Sequence, residues 1–127
     1  MKLADALACG GISAGGVRLL REDTVKMIRT NALDDVQMRD FAAIGTVKPG
    51  YGYGLGVRTL VDGTKSRGPV GEFGWSGAGG GYVLMDPHRK IALVYCQQVL
   101  NFMPAFDQIH NGLRDAVYAD LETENIL

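Results

Sequence analysis

Residues 73–85 read FGWSGAGGGYVLM. Five glycines, the chain's single Trp and a Ser run straight into an apolar segment. Three readings compete: a catalytic turn, a loop that cradles a ligand, and a bend between two strands. Gly74-Trp75-Ser76-Gly77-Ala78 departs from the nucleophile elbow G-x-S-x-G only in its last place. That elbow needs a helix directly after the Ser, and here three glycines and another apolar run follow instead. The phosphate-binding patterns G-x-x-x-x-G-K-[ST] and G-x-G-x-x-G opening a helix are also absent. The stretch therefore reads as a strand from Glu72 to Ala78, a bend at Gly79-Gly80-Gly81, and a strand from Tyr82 to Met85. The glycines stand where side chains would clash.

Working outward, Asp86-Pro87-His88-Arg89 is a turn signal between two apolar runs, 82–85 and 91–97, and predicts a hairpin. Beyond it, Phe102, Phe106, Ile109, Leu113 and Val117 follow three-four spacing, which predicts a helix from about Asn101 to Leu121 with Asn101 as its cap. Upstream, YGYGLGVRTLVD alternates Tyr51, Tyr53, Leu55 and Val57 with Gly52, Gly54, Gly56 and Arg58, and reads as one strand with a nearly bare face. Glycine in a strand marks the close approach of another backbone or ring. Residues 2–9 and 22–31 read as short helices, the first stopped by Gly10-Gly11, the second with Glu22 and Asp23 at its positive end. Residues 34–50 have mixed polarity and end in a Lys48-Pro49-Gly50 loop. Helices, then antiparallel strands, then a helix make an α+β pattern, with a sheet of about three to four strands between packed N- and C-terminal helices.

The 127 residues fit a single domain, 1–127. Apolar residues are 46% and charged residues 21%, close to globular averages, which argues against wholesale disorder. A net charge of −1 offers no basic field for nucleic acid. The N-terminal MKLADALACGG is interrupted by Asp5, and reads as neither a signal peptide nor a membrane anchor, so it leaves the chain's location open. Cys9 and Cys96 read as two buried thiols rather than a disulfide framework. His88 reads as a solvated turn residue and His110 as a helix-flank residue. Neither sits in a cluster with metal-ligand spacing, so no metal or other cofactor is expected.

The order of these features resembles the C-terminal part of the serine β-lactamase and penicillin-binding-protein superfamily. The features are YGYGLGV, a loop, GEFGWSGAGG, an apolar strand ending in Asp86-Pro87, a second apolar strand and a long amphipathic helix. The likeness is to the class C-like branch with its family VIII esterases, and extends over residues 2–120. LADALACGGISAGGVRLLREDTVKMIRTNAL is similar to that branch's upstream segment. The resemblance implies a partial β-lactamase/transpeptidase-like fold and hydrolysis of an ester, amide or β-lactam through an acyl-serine. Two of the family's three signatures are missing. None of Ser13, Ser66 and Ser76 has Lys three residues on, and no Tyr has Asn or Ser two residues on. The third, Lys-Thr-Gly, corresponds by resemblance to Trp75-Ser76-Gly77, and a Trp or His in the Lys place is common in the esterase-like branch.

By the same resemblance, the backbone N–H of Ala78 is one oxyanion donor, Gly77 leaves room for a substrate carbonyl, Ser76 Oγ bonds a substrate carboxylate or carbonyl, and Trp75 walls the pocket. A donor of this kind is worth about 10²–10³ in rate, but only opposite a nucleophile. The expectation is thus a fragment inactive alone. In the family fold, N-terminal strands pair beside the last strand, so 91–96 would form an open apolar edge seeking a homodimer partner or a complementing chain. Two alternatives stand beside it: a non-catalytic binding or assembly module with the same fold, and an esterase using Ser76 with His88 or His110, which needs a His near Ser76 and an orienting carboxylate.

Overall fold

The computed structural model describes residues 1–124. The elements, in chain order, are α1 (Lys2–Ala8), α2 (Glu22–Arg29), α3 (Asp35–Ala42), β1 (Tyr51–Tyr53), β2 (Arg58–Leu60), β3 (Phe73–Ser76), β4 (Tyr82–Asp86), β5 (Ile91–Tyr95) and α4 (His110–Thr123). A π-helical segment, Ala105–Ile109, leads into α4. The five strands form one antiparallel sheet in sequence order, β1-β2-β3-β4-β5.

The strand count exceeds the three to four expected, and the reason is local. YGYGLGVRTL is two strands, folded back at Leu55-Gly56, where Gly54 N–H donates to Val57 O at 2.8 Å and Gly56 has φ +81°. The Tyr-Gly alternation runs unbroken through this turn and hides it. The bare face has the expected cause: a Cβ on Gly52 would strike the Asn31 side chain, and one on Gly54 the Ile28 carbonyl. The β4–β5 hairpin follows Asp86. Its Oδ1 accepts the N–H groups of His88 (2.8 Å) and Arg89 (3.1 Å), fixing the turn that Pro87 favours.

Strand period two separates the sheet's faces. On one face, Phe73 and Met85 pack with Ala8 of α1 and Val25 of α2, flanked by Val83 and Ala92. On the other, Tyr82 stacks against His110 and Asp86 meets Tyr118, both from α4. The helix α3, within the mixed-polarity stretch 34–50, is started by a full capping box: the Asp34 side chain accepts from the Val36 and Gln37 N–H groups, and the Gln37 side chain accepts from Asp34 N–H. None of its residues is fully buried, and its inward side is only the half-buried Met38 and Phe41, too short a stripe to betray it.

The C-terminal helix also differs from its prediction. Asn101 is not its cap but a turn residue at φ +58°, and Phe102 is 39% exposed. The buried stripe is Phe106, His110, Arg114 and Tyr118, spaced four apart. Leu113 and Val117 flank it, half-buried. The face that meets the sheet is aromatic and charged, and hydropathy alone does not mark it. No helix among the described residues is long and apolar enough to cross a membrane.

Candidate active site

Strand β3 ends at Ser76, and the bend starts two residues earlier than expected. Gly77 N–H donates to Gly81 O and Gly80 N–H to Gly77 O, both at 2.9 Å. Ala78 therefore sits on the bend, exposed, and its N–H has no partner among the described residues. Gly74 and Gly80 are dictated by packing. A Cβ on Gly74 would strike Val83 O, while Gly80 has φ +84° and lies against the Gln97 amide. A Cβ on Gly77 would meet nothing within 4 Å.

Pairing of β2 with β3 ends at Gly74, so the edge of β3 from Trp75 onward is free of β2. Trp75 is 40% exposed and packs edge-on against Tyr53, with centroids 5.3 Å apart, which in turn leans on Phe41. Trp75, Ser76 and Arg58 share a small recess with Thr46 and Val47.

Ser76 points to the α4 side of the sheet. Its Oγ accepts from Arg58 Nη1 at 3.1 Å and lies 3.5 Å from His110 Nδ1. Arg58 is itself buried, its guanidinium over the rings of Tyr82 (5.0 Å) and Tyr51 (5.5 Å). It makes no ion pair with a carboxylate among the described residues. Around these groups runs a cleft lined by Thr46, Lys48, Asn111 and Arg114 as well, with room for about one water molecule.

His110 is buried, not on the helix flank, and is a residue that sequence reasoning misplaced. Tyr82 stacks on its ring at 4.7 Å, and Phe106 and Tyr95 meet it edge-on. Its Nε2 lies 2.8 Å from Gly80 O. A carbonyl only accepts, so Nε2 carries the proton and Nδ1 is the acceptor facing Ser76. Burial holds the imidazole below its ordinary value, with Arg58 adding to the effect against the Gly80 bond. The esterase alternative required a histidine near Ser76 and an orienting carboxylate. The histidine is there and the carboxylate is not: a carbonyl orients this ring. His88 is remote from the site, in the β4–β5 turn, with Nε2 3.0 Å from Val70 O.

Behind the site lies a buried polar layer. Glu72 accepts hydrogen bonds from Tyr51 and, at 3.4 Å, from Tyr118, which also donates to Asp86 at 3.0 Å. Arg114 Nη1 donates to Tyr51 Oη at 3.3 Å. Burial raises the Glu72 carboxyl, against the Tyr51 bond and the Arg114 and Arg58 charges. Burial, then Glu72, pushes the Tyr51 phenol up to about 12.

The fold is β-lactamase-like. The chain superposes on "EstCE1, a hydrolase with promiscuous acyltransferase activity", with TM-score 0.69 and 22% identity over 91% of this chain and 27% of that one. It superposes on simvastatin synthase (LovD) from Aspergillus terreus with TM-score 0.68 and 18% identity, over 94% of this chain and 33% of that one. In sequence it is 34% identical over 94 residues to two Mycobacterium tuberculosis proteins, the uncharacterized MT1414 and Rv1367c, covering 70% of this chain. The chain spans 23% of the length of those curated relatives. No family model matches it. At these structural identities the likeness is one of fold.

Proposed function

We propose that this chain forms the acyl-binding side of a serine-hydrolase site, acting on a small ester, amide or β-lactam, and that it does not turn over substrate alone. One observation carries the reading: the Ala78 N–H is exposed and unspent at the end of a strand whose edge is open. Gly77, which no internal contact requires, leaves space for a carbonyl to approach that edge. Trp75 walls the approach, and Ser76 offers its hydroxyl at the neighbouring position. Against turnover, no Ser here has a Lys three residues on, and Ser76 is held between Arg58 and a histidine that no carboxylate orients. The nucleophile would stand opposite Ala78, in the remaining portion of the fold.

The same reading extends to partners. Strand β5 is the sheet's edge, and all five of its residues are half-buried. An apolar edge of this kind is a site for strand addition by a second copy or by a chain that completes the sheet.

The test is a nitrocefin and p-nitrophenyl-ester assay on the pure chain, and on the chain co-expressed with the Ser-x-x-Lys-bearing portion of a β-lactamase-like enzyme. The expected result is no turnover alone, and turnover in the pair that is lost in Gly77→Val. Turnover by the chain alone that disappears in Ser76→Ala would overturn the reading and make Ser76 a nucleophile.

A further inference from the structure

The hydrogen bonds around Ser76 and His110 all run one way. Arg58 Nη1–H donates to Ser76 Oγ, at 3.1 Å. The Ser76 hydroxyl faces His110 Nδ1, at 3.5 Å. His110 Nε2–H donates to Gly80 O, at 2.8 Å. One residue of the bend then hands the restraint on, because Gly80 N–H donates to Gly77 O at 2.9 Å. The Gly77 carbonyl and the Ala78 N–H belong to a single planar peptide. Whatever fixes that carbonyl also aims the Ala78 N–H, and accepting a bond at the oxygen makes the N–H at the other end a better donor.

The bend needs such an anchor. Three of its four residues, Gly77, Gly79 and Gly80, are glycines, which keep both signs of φ open and leave peptides free to flip. The anchor is built to be rigid. His110 is 3% exposed, boxed by Tyr82, Tyr95 and Phe106, and placed at the junction between the π-helical segment and α4. A second tie, Val99 N–H to Gly79 O at 3.0 Å, holds the bend's outer side and leaves Ala78 free.

We propose that His110 is the positioning residue of this bend: in its Nε2-protonated neutral form it holds Gly80, and through Gly80 and Gly77 it aims the Ala78 N–H outward. That the Ala78 N–H serves as an oxyanion donor rests on the function proposed above. The restraint itself does not.

Protonation alters the arrangement from the Ser76 side, while Nε2–H goes on donating to Gly80 O. A proton on Nδ1 would face Ser76 Oγ, which already accepts from the Arg58 cation. The charged and titratable groups around the ring are Lys48 from the loop before β1, Tyr51 from β1, Arg58 from β2, Tyr82 from β4, Tyr95 from β5, Asp107 from the π-helical segment and Arg114 from α4. Asp107 is engaged by Lys48 at 2.9 Å, and Arg114 by Asp115 at 2.8 Å. No free carboxylate among the described residues lines the cleft to take up the new charge. In acid the new charge therefore sits between Arg58 and Ser76, and its effect reaches the bend through the Nε2–H bond to Gly80 O.

The experiment is a two-dimensional amide NMR titration of the whole chain from pH 8 to pH 5, with His110 ring signals followed alongside. The Ala78 and Gly80 amides are expected to shift together, with the ring's own midpoint, below the ordinary imidazole value. Two variants separate positioning from packing. His110→Gln keeps an N–H donor toward Gly80 and removes the titration, so Gly80 protection stays and the pH response disappears. His110→Phe keeps the aromatic packing and removes the donor, so Gly80 amide exchange rises about threefold to tenfold, the worth of one hydrogen bond. Ala78 and Gly80 amides that stay still while His110 titrates would overturn the proposal, and so would unchanged Gly80 exchange in a folded His110→Phe. If His110→Phe does not fold, the wild-type titration and His110→Gln decide. None of these readouts uses turnover, so failure of the hydrolase reading and failure of this one are told apart.

Discussion

The two faces of the sheet are built from different chemistry. Toward α1 and α2, the contacts are Ala8, Val25, Phe73 and Met85, all apolar and all nearly inaccessible to water. Toward α4, the buried groups include Arg58, Glu72, Asp86, His110 and Arg114, knitted together by Tyr51, Tyr82 and Tyr118. Burying apolar area stabilises a fold without specifying direction. Burying charge costs solvation, and is tolerated where each group finds a directed partner. The first face holds the sheet together, while the second holds particular atoms at particular distances, and the Ser76–His110–Gly80 chain leads from it to the open end of β3.

The largest effect belongs to the apolar face. Phe73→Ala removes a ring that is 1% exposed between Ala8, Val25 and Met85. It is expected to cost about 3–5 kcal/mol. Denaturant unfolding measures that loss. If Phe73→Ala costs no more than an exposed substitution, the division of labour between the faces fails.

A smaller effect, and one with a pH signature, belongs to the polar face. Glu72 is 1% exposed, and its carboxyl is raised above the ordinary glutamate value by burial. The folded state thus prefers the protonated form more than the unfolded chain does. Its contribution to stability is fully present below the unfolded pKa of about 4.5 and is lost as pH rises through the raised folded value. Each pH unit in that window changes stability by at most about 1.4 kcal/mol for this one proton. Glu72→Gln keeps the shape and a carbonyl acceptor for Tyr51, and removes the titration. The expected outcome is a flatter stability profile above pH 5 for Glu72→Gln than for the wild type, read from melts across pH. Parallel profiles would mean that Glu72 is paired well enough to ionise freely in the folded chain.

These two faces were unequally legible in the sequence. The apolar face follows from period-two and three-four patterns, and with it come the helices at 2–9 and 22–31, a bend at Gly79-Gly80-Gly81 that the structure begins two residues earlier, and the Asp86-Pro87 hairpin. The polar face left little trace. Its helix stripe, Phe106-His110-Arg114-Tyr118, is aromatic and charged, so a search for apolar spacing selected Ile109, Leu113 and Val117 instead. Ser76 and His110 are 34 positions apart, and no local rule links them. Helix α3 carries its Asp34–Gln37 box in the sequence, but its inward residues, Met38 and Phe41, are only half-buried and too few to set a readable period. The Leu55-Gly56 turn was hidden by an alternation that continues across it.

The distinction between the faces fades at β5, and the smallest predicted effect on stability tests what happens there. Each residue from Ile91 to Tyr95 is half-buried, on whichever face it points. Its inner edge is fully paired with β4, from Asp86↔Ile91 to Tyr82↔Tyr95, and its outer edge pairs with no strand among the described residues. If that edge associates, as proposed, a charge placed on it should oppose pairing while leaving the interior alone. Val94→Lys puts an ammonium on this half-buried edge strand, on a stem that still covers apolar surface. It is expected to cost about 1 kcal/mol or less in stability, and to reduce self-association seen by light scattering at high concentration. A wild-type chain that stays monomeric and stable under those conditions would remove the homodimer. A dimer unchanged by Val94→Lys would move the interface away from β5. Association lost without loss of fold is the outcome that separates the edge, which recruits, from the two faces, which hold the domain together and shape its site.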